Sequence, residues 1–138
     1  MAKRKRLLAR KQMEKRLQTL GKNIVDAVLD ELSDGADLIV AEQKGMAPRD
    51  TGVLASTIHR SKVRVGKKTA TVTIRAGGKA THAPGNSTRP GGFDYAVEQE
   101  FGNRDMPTNP FFYPPIRKNS AKIKARVRKA FGSEVKDF

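Results

Sequence analysis

Residues 47–58, APRDTGVLASTI, form the corner on which the reading of the fold turns. A proline, an Asp-Thr-Gly turn and an apolar, strand-like run separate two stretches of different periodicity. Upstream, from Asn23, the residues Val25, Val28, Leu29, Leu32, Ala36, Ile39 and Val40 recur at three- and four-residue spacings. That spacing predicts an amphipathic helix with one apolar stripe. Asp26, Asp30, Glu31, Asp34 and Glu42 fall mainly off it. Gly35 costs about 1 kcal/mol relative to alanine in a helix interior, which allows a kink or break near Ser33–Gly35. The helix should end near Lys44–Gly45, with Pro48 beyond its C-terminus. In the corner itself, Asp50 and Thr51 shape the turn and Gly52 frees the backbone to enter a strand. Leu54 and Ile58 then return the chain to the core.

Downstream the period changes to two. IHRSKVRVG and TATVTIRAG read as two strands around a Gly-Lys-Lys turn, with Ala70, Val72, Ile74 and Ala76 alternating with Thr69, Thr71, Thr73 and Arg75. Residues 77–92 hold five glycines and two prolines and predict a long mobile loop. DYAVEQEFG resumes apolar character at Tyr95, Val97 and Phe101. MPTNPFFYPP is an extended segment stiffened by Pro110, Pro114 and Pro115. Ile116, Ile123, Val127 and Phe131 mark the apolar face of a basic C-terminal helix with a proline near its first turn. Helix stripes and alternating strand need one another to bury their apolar faces. The expected fold is therefore α+β: a long N-terminal helix and a C-terminal helix packed on an antiparallel sheet in one small domain. Residues 1–22 are set apart as a basic extension, ordering only against a partner, and 23–138 as the domain.

The composition narrows the chemistry. The 138 residues contain no cysteine, so there is neither a disulfide framework nor a thiolate metal site. His59 and His82 have no tight ligand spacing around them, and no apolar stretch reads as a signal peptide or membrane span. AGGKAT lacks the spacing of a phosphate-binding loop, and nothing marks a nucleophile elbow. Asp-Thr-Gly is also the motif of aspartic proteases. That chemistry needs a second carboxylate and a preceding apolar strand, whereas KGMAPR comes first here. Asp50 reads as a turn brace. No enzyme, metal or cofactor is expected.

The formal charge is +14 and unevenly placed. Lys3 to Lys22 holds nine Lys or Arg against Glu14, and Arg117 to Lys129 holds seven with no acid. Residues 23–50 are acidic on balance. Lys3, Arg4, Lys5, Arg6, Arg117, Lys118, Lys122, Lys124, Arg126 and Arg128 are candidates for contact with an acidic protein surface or DNA. Basic ends flanking an acidic helix also suit head-to-tail contacts between identical subunits. The aromatics Phe93, Tyr95, Phe101, Phe111, Phe112 and Tyr113 lie away from the lysines, which favours packing or an interface over base stacking.

Three landmarks in order carry a resemblance. The first is Ala47, Pro48, Asp50, Thr51, Gly52, Leu54 and Ile58, with Ser56 and Thr57 beside the usual serine position. The second is Tyr95, Ala96, Glu100, Phe101 and Gly102; the third is Pro110, Phe111 and Pro114, with Pro115 where alanine is usual. Over roughly residues 23–131 the chain resembles the tail-completion, or head–tail joining, family of long-tailed bacteriophages, of the minor tail protein Z type. Loop 77–92 and the basic ends depart from that pattern. The resemblance implies a structural virion protein of the neck, made in the host cytoplasm and commonly forming a ring. Its implied partners are further copies of itself (a hexamer being one such ring), tail-tube or tail-terminator protein, and head connector proteins. DNA in the lumen is a further one, and no membrane is implied. Tyr95, Glu100, Phe101, Gly102, Pro110, Phe111, Phe112, Tyr113 and Pro114 are its expected interface residues. A basic nucleic-acid-binding module is the alternative reading.

Overall fold

Two helices of unequal length set the frame of the computed structural model, which describes residues 1–49, 51–85, 87 and 89–137. Helix α1 spans Ala2–Met46 and helix α4 spans Tyr113–Lys136. They run antiparallel. Near the end of α1, Gln43 Nε2 donates to the Phe112 carbonyl at 2.7 Å, and Glu42 accepts from Asn119 Nδ2 at 2.9 Å. Toward its start, Lys15, Arg16 and Leu20 share a cleft with Glu134 and Asp137. The helix passes residue 22 without a break, so the basic stretch and the amphipathic stretch are one element.

Nor does α1 break at Gly35. That glycine is buried because Ile123 of α4 packs directly on it: a Cβ there would lie 2.8 Å from Ile123 Cγ1. The residue that allowed a kink or break instead lets the second helix approach. Tertiary contact outweighs the propensity penalty.

The corner also differs from expectation. Gly52 takes φ +71°, but the chain then enters a short helix, α2 (Val53–Thr57), rather than a strand. Leu54 and Ile58 are four residues apart, so one helical turn buries both. The hydroxyls of Ser56 and Thr57 bond back to the Val53 and Leu54 carbonyls, at 2.6 Å each. Asp50 lies outside the described residues.

Strands β1 (His59–Arg60) and β4 (Ile74–Arg75) pair antiparallel, as do β2 (Arg64–Val65) and β3 (Ala70–Thr71). These pairs are one interrupted hairpin, closed by a bond from the Gly66 amide to the Thr69 carbonyl at 2.7 Å. The register shifts by one between them, from Ser61 opposite Thr73 to Arg64 opposite Thr71. Lys62 and Val63 thus oppose Val72 alone, the arrangement of a β-bulge. The predicted alternation holds: Ala70, Val72, Ile74 and Ala76 are partly buried, while Thr69, Thr71, Thr73 and Arg75 are exposed.

The glycine-rich stretch 77–92 is folded at both ends. A 3-10 turn, Lys79–Thr81, leads into β5 (His82–Ala83), which pairs antiparallel with β6 (Phe93–Asp94). Helix α3 follows at Tyr95–Phe101. The class is α+β in one small domain, with antiparallel strands in three two-stranded pairs. The core cluster is Ala47, Leu54, Ile58, Ala96 and Phe111, with Val40, Ala76, Tyr95 and Phe112 against it.

Candidate assembly surface

The three sequence landmarks converge in space. Pro48, Thr51 and Leu54 of the corner line a cleft with Tyr95 and Gln99 of α3. Beneath it, Ala47, Leu54, Ile58, Ala96 and Phe111 form the core. Glu100 then ties the second landmark to the third. Its Oε2 accepts the Phe111 and Phe112 amides at 2.8 Å each, and its Oε1 accepts the Tyr113 amide at 3.1 Å. These are the amides at the start of α4, which have no acceptor within the helix itself. A carboxylate there also meets the positive end of the helix dipole. Pro114 and Pro115 occupy the first turn, where a missing amide hydrogen costs nothing. Glu100 is thus a helix cap supplied from a distance.

That geometry divides the predicted interface residues. Phe111 is 1% exposed and Glu100 8%, so both lie inside this fold. Phe101 and Tyr113 are 63% and 43% exposed, with ring centroids 6.1 Å apart. Phe112, partly buried, packs edge-on against both Phe111 and Tyr113. Val97 is exposed beside them, and the group borders a hollow of about 180 Å³ floored by Ala76, Ala96 and Phe111. The result is an exposed aromatic rim on a buried, hydrogen-bonded base. Gly102 ends α3 with its amide on the Glu98 carbonyl at 2.7 Å, while Pro110 is exposed on the way to Phe111.

A second knot was not anticipated from the sequence. Asp94 caps α3 by accepting the Ala96 amide at 2.9 Å, and it also accepts the Thr81 hydroxyl at 2.6 Å and the Gly78 amide at 3.0 Å. Partial burial opposes ionisation of Asp94, but those three donors outweigh it and hold its pKa below the usual carboxylate range. Thr81, fully buried, anchors one end of the glycine-rich stretch there. Arg89, near the other end, pairs with Glu98 and lies 5.1 Å from the centre of the Phe93 ring. An aspartate just ahead of an apolar helical run was the available signal for this cap. Gln43 and Asn119, both buried, carried no such signal, since their role rests on contacts 69 and 77 residues away.

The basic residues are not gathered into one patch. Lys118 lies 3.6 Å from Glu42 at the base of the helix pair. Lys3, Arg4, Lys5 and Arg6 are at the opposite end. Lys122, Lys124, Arg126 and Arg128 are exposed along α4, as is Arg117. Among the described residues no cluster of His, Asp and Glu could hold a metal ion, and no helix is long and apolar enough to cross a membrane.

A family model described as "Bacteriophage HK97-gp10, putative tail-component" matches residues 11–102. No curated protein and no solved structure matches the chain. The matched span takes in most of α1, the corner, the hairpin and all of α3, including Glu100 and Gly102. Covering about two-thirds of the sequence and two of its three landmarks, it establishes that the chain belongs to the HK97-gp10-like family of bacteriophage tail components.

Proposed function

We propose that this tail component is a non-catalytic neck protein, a tail-completion or head–tail joining piece that forms a ring between tail tube and head connector. The observation that carries the reading is the exposed apolar rim of Val97, Phe101 and Tyr113, held on a base that Glu100 ties together through the Phe111 and Tyr113 amides. Exposed aromatics on a preorganised support are the usual anchors of a stable interface. Charge supports the ring. Asp26, Asp30 and Asp34, all exposed, follow four-residue steps along one face of α1. Lys122, Arg126 and Lys129 form a similar exposed row on α4. Unlike faces on one chain suit a head-to-tail contact, which closes into a ring when the rotation allows. Charge would steer neighbours together, and the aromatic rim would hold the next protein of the neck.

The test is complementation of a phage lacking the protein with a Phe101→Ser/Tyr113→Ser variant. Separate heads and tails should accumulate under electron microscopy, while thermal unfolding of the purified variant stays close to wild type. Normal joining by that folded variant would overturn the role given to the rim. Phe111→Ala is unsuitable for the purpose, because truncating a buried phenylalanine typically removes about 3–5 kcal/mol of stability.

A further inference from the structure

The excess positive charge is confined to two segments. Residues 23–112 hold eleven Lys or Arg and eleven Asp or Glu, so they are neutral. Residues 3–22 hold nine bases against Glu14, and residues 113–137 hold eight against Glu134 and Asp137. Those two acids share a cleft with Lys15 and Arg16, at the point where α4 ends against α1. Residues 2–14 run on past that point as a single helix, about 20 Å long at 1.5 Å per residue. Every residue from 1 to 19 is exposed.

Within this arm the bases do not form a stripe. Lys3, Arg4, Lys5 and Arg6 are consecutive, and successive residues of an α-helix are turned by about 100°, so four of them encircle the axis. Arg10 pairs with Glu14 at 3.0 Å; Lys3, Arg4, Lys5, Arg6 and Lys11 have no ion pair among the described residues. Arg6 and Arg10, and Lys11 and Lys15, are like charges four residues apart, which weakens the helix until an anion neutralises them.

The distribution selects the partner. A flat acidic protein surface can meet one face of such a helix and would leave most of Lys3–Arg6 in water. A membrane surface needs a broad apolar face opposite the charges, and a ring of charge prevents one. Duplex DNA can meet more than one face of a helix at once. Its major groove, about 12 Å wide, admits an α-helix with phosphates of both strands on either side.

We propose that residues 2–14 are a duplex-DNA-binding arm that lies in the major groove and contacts phosphates of both strands through Lys3, Arg4, Lys5, Arg6 and Lys11. The arm is separate from the aromatic rim, and its binding does not depend on the neck assignment.

The test is fluorescence anisotropy of a short labelled duplex with the full chain across about 50–200 mM salt. Contact with five phosphates gives a slope of log affinity against log salt near −4.5, at about −0.9 per phosphate. A Lys3→Gln/Arg4→Gln/Lys5→Gln/Arg6→Gln variant should flatten it by about 3 to 4. A Lys122→Gln/Arg126→Gln/Lys129→Gln variant should leave it nearly unchanged. Bound protein should also shield guanine N7 from methylation. An equal loss of slope in both variants, or an unaffected slope in the arm variant, would overturn the proposal. So would unshielded N7, or competition by polyglutamate or anionic vesicles as effective as that of unlabelled duplex at equal charge.

Discussion

Helix α1 is one element supported in two different ways. At its base, Gly35, Ala36, Ile39 and Gln43 are buried against α4 and the core, and Gln43 and Glu42 reach across to Phe112 and Asn119. At its tip, residues 2–14 are exposed throughout. The base is held by packing and long-range hydrogen bonds. The tip is held by its backbone ladder and the Arg10–Glu14 pair, against repulsion among its other charges. Continuity of a helix is therefore no guide to shared support: the base builds the domain, and the tip lies exposed.

The largest perturbation belongs at the base. Glu100→Ala would remove the acceptor of three amides at the start of α4; hydrogen bonds to a charged group are each worth about 1.5–3 kcal/mol, and since water can replace the carboxylate at the part-buried Phe112 and Tyr113 amides, a loss of about 3 kcal/mol is expected in urea unfolding. Glu100→Gln should cost about half as much, because its amide oxygen still accepts. Equal stability of the alanine variant and wild type would mean that Glu100 does not secure α4.

One substitution made twice in α1 sharpens the contrast. Gly35→Ala drives a methyl to 2.8 Å from Ile123 and should cost about 1–3 kcal/mol, although alanine is the better helix former. Gly21→Ala, with nothing within 4 Å, should instead gain up to about 1 kcal/mol. Opposite signs in thermal unfolding are the expected result. A gain at both sites would show that α4 does not press on Gly35.

The smallest effect concerns acid. The pKa of Asp94 is lowered by folding, so its ionised form contributes stability above the unfolded carboxylate value of about 3.9, and that contribution disappears as pH falls below it. Asp94→Asn keeps the cap but removes the titration. The stability gap between wild type and variant should be constant near neutrality and shrink below about pH 4. A gap independent of pH would remove Asp94 from the acid response.

Much of this was legible in the chain because it depends on neighbours in sequence. The apolar spacing of α1 and α4, and the alternation from Thr69 to Ala76, report which residues face inward whatever covers them. The order of the three landmarks was likewise readable. The strand expected after Gly52 was misread because VLAST carries β-branched residues, while the four-residue step from Leu54 to Ile58 decided for a helix. The kink that Gly35 allowed does not occur, because a glycine that bends a helix and one that admits a neighbour look alike until the neighbour is placed.

By itself, then, the sequence determined the two long helices, the alternating strand, the α+β class, the place of the corner and the uneven charge, since each follows from local periodicity and composition. Only the tertiary structure decided which aromatics are core and which are surface. The same FFY segment puts Phe111 inside and Tyr113 outside, because Glu100 gathers three consecutive amides and fixes how the segment enters α4. It also decided that the basic arm stands clear of the domain, because α4 ends beside Lys15 and Arg16 while α1 continues.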